Sequence, residues 1–138
     1  MTTELHSPKQ QIYDAVFAAS LSLGYDTYDY LPADGTSYPF VFVGEQINQD
    51  RQTKRFLYGE VEQTVHVYAI QRNAEQPNGT NRNEFTGMID RLQTELRKIK
   101  KTDNFNVRKL SMNDMTMIDT STSTTLLHGV IEVRFLFH

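Results

Sequence analysis

Histidines and carboxylates are the residues of this chain that could bind a metal ion or transfer a proton. The histidines are His6, His66, His128 and His138, and no two of them stand at the spacing of a metal-binding or catalytic signature. His66 and Glu62 would share one face of a strand, but four residues of extended chain separate them by roughly 13 Å. His128 and Glu132 have the same spacing. We therefore expect packed or surface histidines and no metal site.

The signatures of other catalytic sites are absent from the sequence. It contains no Gly-x-Ser-x-Gly elbow, no glycine-rich phosphate loop and no dinucleotide fingerprint. It also contains no cysteine, which removes disulfides, thiolate metal sites and cysteine nucleophiles. Possible acid–base pairs among Asp26, Asp29 and Asp34, or between Asp114 and Asp119, lie in polar stretches typical of solvated turns. The sequence therefore predicts no enzyme activity and no cofactor.

The charge of the chain is modest but unevenly distributed. A formal net charge of −3 argues against a dedicated nucleic-acid-binding protein. Residues 1–46 contain six acidic residues and one lysine, a net charge of −5, which leaves +2 for the remainder. Such polarity suits head-to-tail contacts between copies of a protein, although chance clustering explains it equally well.

A length of 138 residues predicts one domain, spanning residues 1–138, that needs no metal or disulfide to be stable. The first residues lack the basic start and apolar stretch of a secretory signal, and no apolar run is long enough for a transmembrane helix. We expect neither export by that route nor a membrane span.

Two helices are indicated by capping residues and helical spacing. Ser7 and Pro8 predict a helix over residues 8–23, with Gly24 as a left-handed stop. A second helix is capped by Thr80 or Asn81. Its apolar stripe is Phe85, Met88, Ile89, Leu92, Leu96 and Ile99. The basic residues near its end complement the helix dipole, or alternatively contact a nucleic acid or acidic partner.

The remaining segments predict strands. Residues 38–45, 59–69 and 127–138 are rich in residues that favour strands. In the second and third of these segments, apolar residues alternate with polar ones. Residues 105–107 predict a further short strand. In the following segment Met115 and Met117 alternate with Thr116, which favours a strand whose methionines pack in the core, with an adaptable binding surface as the alternative. Helices interposed among hairpin-like strands predict an α+β domain: a twisted mixed or antiparallel sheet with two helices packed on it.

A polar, charged segment of residues 46–58 separates two of these strands. It contains no glycine or proline, whereas ordinary hairpin connections are short and glycine-rich. We predict a long inter-strand loop that reaches a partner.

Several segments carry a family resemblance. Residues 38–46 (YPFVFVGEQ), 63–69 (QTVHVYA) and 127–135 (LHGVIEVRF) resemble the small tail-completion proteins of long-tailed bacteriophages, also called tail terminators or tail-to-head joining proteins. The openings at residues 8–12 (PKQQI) and 23–27 (LGYDT) are similar to versions from phages of Gram-positive bacteria. The resemblance spans nearly the whole chain and rests on segment order and strand sequence.

The resemblance implies a non-enzymatic ring, typically a hexamer, that caps the phage tail tube, ends its polymerisation and joins the tail to the head. Its partners would be other copies of the chain, the tail-tube protein and the head–tail connector. DNA would pass through the ring without specific binding, and no membrane would be involved. The protein would reside at the head-proximal end of the virion tail after synthesis in the host bacterial cytoplasm.

The same resemblance assigns an assembly role to the long connection, which matches the position of an inter-strand loop that mediates ring or tube contacts. The candidate contact residues are Gln49, Asp50, Arg51, Lys54, Arg55, Phe56 and Tyr58.

Three other functions remain open. A head-completion or connector protein would seal the capsid side instead. A nucleic-acid-binding module would use the cations Arg51, Lys54, Arg55, Lys98, Lys100 and Lys101. A small hydrolase ranks last because no nucleophile or metal signature supports it.

Overall fold

The computed structural model describes the backbone of residues 7–52 and 57–138, and the side chains of residues 7–49 and 58–138. Two helices and five strands follow one another along the chain. They are α1 Pro8–Ser22, β1 Thr27–Tyr28, β2 Phe40–Gln52, β3 Leu57–Ile70, α2 Arg82–Arg97, β4 Val107–Asp119 and β5 Leu126–Phe137.

The helix ends confirm the capping predictions. The Ser7 side chain accepts a hydrogen bond from the Gln10 backbone N–H, and Pro8 occupies the first turn of α1. Gly24 follows α1 with φ of +80°, the left-handed conformation that stops a helix. Asn81 caps α2 by accepting a hydrogen bond from the backbone N–H of Glu84.

The five strands form one mixed sheet in the order β1-β2-β3-β5-β4. The short β1 pairs with β2 in parallel, and all other pairings are antiparallel. The predicted α+β fold, with two helices packed on a sheet, is therefore confirmed.

Alternation along the strands directs one face of the sheet towards the helices. Val61, Val65, Val67 and Ala69 of β3 are fully buried on this face, and so are the odd-numbered apolar residues of β5. The two helices cover them with Ile12, Val16, Phe85, Ile89, Leu92 and Leu96. The strand parity read from the sequence is confirmed, and the core lies between the helices and one face of the sheet. We call this the core face and the other the open face.

The long inter-strand loop predicted for residues 46–58 is wrong. Strands β2 and β3 remain paired as far as Gln52 and Leu57, so residues 46–52 and 57–58 of the segment belong to a β-hairpin. Its sequence resembles a loop because polar residues predominate and the apolar Ile47 is 61% exposed. Backbone hydrogen bonds hold such a strand without an apolar face. We call residues 46–58 the arm.

The prediction that the methionines of β4 pack in the core is also wrong for two of them. Met115 is 54% and Met117 is 37% exposed, because their register partners Val130 and His128 lie on the open face. Met112 has the opposite parity and does pack against the core. The short strand predicted over residues 105–107 is continuous with this segment, since β4 begins at Val107.

Candidate interaction surface

Aromatic rings cover the centre of the open face. Phe40 stacks on Tyr68 with ring centroids 5.2 Å apart, and Tyr68 stacks on His128 at 4.2 Å. Phe42 stacks on His66 at 5.5 Å. These rings come from β2, β3 and β5, where neighbouring strands bring residues of equal parity side by side. We call them the ring stack.

Two histidines and a carboxylate form a hydrogen-bonded chain within this surface. His66 Nδ1 lies 2.9 Å from His128 Nε2, and His66 Nε2 lies 3.0 Å from a carboxylate oxygen of Glu45. Burial, followed by the nearby His66, lowers the pKa of His128. The single proton between the two rings requires that at least one of the facing nitrogens be unprotonated. Sequence reasoning missed this chain because the histidines stand 62 residues apart.

The histidine pair does not amount to a metal centre. In the part of the chain that the structure describes, no group of three histidine, cysteine, aspartate or glutamate side chains could hold a metal ion. The facing ring nitrogens bond to each other instead.

A bulge in β2 turns Glu45 towards the histidines. Val43 pairs with Val65 and Gln46 with Gln63, so Gly44 and Glu45 together oppose one residue of β3. The fully buried Gln63 amide donates to the carbonyls of Gly44 and Glu45 at 3.2 and 3.1 Å. The Gln46 side chain in turn donates to Gln63 Oε1 at 3.1 Å. This buried amide therefore fixes the base of the arm.

An acidic band lies on the open face next to the ring stack, and two of its members pair with the arm residues Ile47 and Gln49. Its carboxylates are Glu60, Glu62 and Glu132, which have the same strand parity as the ring stack. Arg134 lies beside them, with its Nε atom 3.9 Å from a carboxylate oxygen of Glu60. A depression of about 140 Å³ between these side chains is also lined by Ile47 and Gln49. We call Glu60, Glu62 and Glu132 the acidic band.

The arm extends beyond the neighbouring strand β5. The last pairing of β3 with β5 joins Gly59 to Phe137, so the pairs Arg51–Tyr58 and Gln52–Leu57 project past it. Of the predicted contact residues, Gln49 pairs with Glu60 and Asp50 with Gly59 at the base of this projection. Lys54, Arg55 and Phe56 lie outside the described residues.

The other candidate groups do not assemble into a catalytic site. Asp114 accepts a hydrogen bond from Gln93 of α2 on the core face, whereas Asp119 has the opposite parity on β4 and accepts from Ser121. These bonds to Ser121 lower the pKa of Asp119. At the end of α2, Lys98 pairs with Glu95 at 2.8 Å, as expected for a solvated helix terminus.

Within residues 7–52 and 57–138, no helix is both long enough and apolar enough to cross a membrane.

Comparisons with known proteins find a similar fold but no similar sequence. No family model matches the chain, and no curated protein matches its sequence. Among solved structures, the chain is similar to a chain of the virion of a native gene transfer agent particle, with a TM-score of 0.51 and 10% sequence identity. The match covers 94% of this chain and 95% of that one, so the two share a fold over nearly their whole length.

Proposed function

We propose that this protein is a structural component of a phage-like virion and acts as its tail terminator. The observation that carries the proposal is the whole-length similarity of fold to a chain of a gene transfer agent virion. It agrees with the resemblance of three strand segments to tail-completion proteins. In this role the protein has no catalytic activity and needs no cofactor.

In the proposed role the protein acts as a ring, and six copies are the expected number. A ring needs two different complementary surfaces on each copy, because every subunit contacts its neighbours head to tail. The open face and the projecting arm are two such surfaces. The ring caps the tail tube, contacts the head–tail connector and lets DNA pass without binding it specifically.

The candidate contact residues keep their proposed role in assembly. Gln49, Asp50, Arg51 and Tyr58 belong to the two strands of a hairpin that β5 does not cover at its end. Such an extension presents backbone and side chains to another molecule. Lys54, Arg55 and Phe56 complete the arm in sequence.

Removal of the gene from a phage genome tests the proposed function. Loss of a terminator leaves overlong tails, or tails without heads, in electron micrographs. Filled heads that leak DNA would instead assign the protein to head completion, because a virion neighbour supports either position. Normal virions after deletion would contradict both. Electron microscopy of the purified protein mixed with tail-tube protein provides a second readout, in which we expect capped tubes.

A further inference from the structure

The open face and the arm have opposite charges. Apart from the acidic band, the face presents Glu45 and Asp119, and among the described side chains only Arg108 and Arg134 oppose these five carboxylates. The arm contains Arg51, Lys54 and Arg55 within five residues, and the next three residues include Phe56 and Tyr58. A basic, aromatic segment is the chemical complement of a sheet face that carries carboxylates and stacked rings.

We propose that the arm of one copy docks on the open face of a second copy, with its cations against the acidic band and its aromatic residues against the ring stack. This inference rests on the proposed ring and specifies which surfaces join its subunits. It selects a sister subunit, rather than the tail tube or the connector, as the partner of the arm.

The tip of the arm cannot fold back to the Glu132 end of this docking surface on its own chain, although Glu60 and Glu62 pair with Gln49 and Ile47 at the base of the same arm. Gln52 and Leu57 form the last described pair of the hairpin. Four residues of chain are at most roughly 14 Å long, so no backbone atom between them lies more than about 7 Å beyond that pair. Glu132 is in register with Thr64, seven residues back from Leu57, or roughly 24 Å. A second molecule must therefore supply any residue of 53–56 that meets Glu132 or the ring stack.

Two other occupants fit the open face less well. Nucleic acid would bring phosphates against a surface with a carboxylate excess. The basic end of α2 from another copy has the right charge, but Lys98 is already paired with Glu95, and the cluster has no aromatic residue to meet the ring stack. Of these three occupants, the arm is the one whose own segment combines cations with rings.

A pair of charge reversals tests the docking. Arg51→Glu with Lys54→Glu gives an acidic arm facing an acidic band, and Glu60→Lys with Glu62→Lys gives a basic band facing a basic arm. We expect each variant alone to associate at least about tenfold more weakly than the wild type in sedimentation velocity. A mixture of the two should regain association, because each arm then meets a face of opposite charge on the other variant.

The control variant is Lys100→Glu with Lys101→Glu, which makes the same change of charge at the end of α2. It should associate like the wild type. Circular dichroism spectra identify any variant that fails to fold, and the mixing experiment needs only folded chains. Unchanged association of both reversed variants, or loss only in the α2 control, would overturn the docking.

Disulfide trapping gives an independent test because the chain has no cysteine of its own. Lys54→Cys protein is mixed with Glu62→Cys protein under oxidising conditions. Each chain then holds one thiol, so every crosslink joins two molecules. We expect a disulfide between the two variants, and little from Lys54→Cys mixed with Lys100→Cys. The opposite preference would overturn the inference.

Different results would overturn the docking between sister copies and the proposed terminator function. A folded, arm-reversed variant that still self-associates but no longer binds tail-tube protein or supports normal tails would overturn docking between sister copies. The terminator role would stand in that case. Deletion that leaves normal virions would remove the terminator role, whatever the crosslinks show.

Discussion

The two faces of the sheet differ in what covers them. The core face is sealed by α1 and α2, and its residues Val61, Val67, Ile131 and Phe135 are fully buried. The open face carries rings, two exposed methionines and carboxylates. At its Phe40 end the rings of Tyr28 and Tyr38 contact Phe40, which is buried. One face of the sheet thus forms the core that stabilises the fold. The other face is available for contacts with another molecule.

The largest expected effect is a difference between the two faces in how much the loss of one ring lowers the free energy of unfolding. Phe135→Ala removes a fully buried ring from the core face and should lower the free energy of unfolding by about 3–5 kcal/mol. Phe42→Ala removes a partly exposed ring from the open face and should cost less than half as much. Urea denaturation of both variants provides the measurement. Equal losses would mean that the open face contributes to folding as much as the core.

An intermediate effect concerns the amide that holds the base of the arm. Gln63→Leu leaves the carbonyls of Gly44 and Glu45 without this donor and should cost about 1–3 kcal/mol of unfolding free energy. Gln49→Leu, at an exposed position on the arm, serves as the control and should change stability by less than about 0.5 kcal/mol. A neutral Gln63→Leu variant would show that the bulge does not depend on this side chain.

The smallest effect is a pH dependence that originates on the open face. Because burial and His66 lower the pKa of His128, the unfolded chain binds this proton more tightly than the folded chain. The stability associated with neutral His128 is complete above the ordinary histidine pKa of about 6.5 and is lost as the pH falls through the lowered pKa of the folded state. Asp119 and Glu45 oppose the shift without reversing it.

Urea midpoints at several pH values between 7.5 and 5 measure this dependence. The wild type should lose stability on acidification, and His128→Gln should show a shallower slope. An identical slope in the variant would assign the pH dependence to other groups.

Much of the fold follows from the sequence because local signals agree with tertiary burial. Ser7, Gly24 and Asn81 mark helix ends through their own backbone chemistry, and the alternation in β3 and β5 reports a face buried in one core. The arm shows where such reasoning fails. A hairpin exposed to solvent has no apolar alternation, so its polar sequence is indistinguishable from a loop until the pairing of β2 with β3 is known.

The candidate surface was less accessible to sequence reasoning. The contacts among Glu45, His66 and His128 depend on strand order and on a bulge. Neither of these is predicted by a local sequence pattern. Likewise, the parity of Met115 and Met117 places them on the open face only once the register of β4 on β5 is fixed. An exposed apolar strand residue and a buried one look alike in a single sequence.

Carboxyl labelling with a carbodiimide and an amine tests most directly whether the open face is the surface covered on assembly. The labelling rates of Glu60, Glu62 and Glu132 are compared between the assembled wild type and the arm-reversed variant, with Glu84 and Asp90 of α2 as internal controls. We predict that assembly protects the three carboxylates of the acidic band and leaves the two controls unchanged. An assembled protein whose acidic band is labelled as fast as that of the dissociated variant would contradict the account.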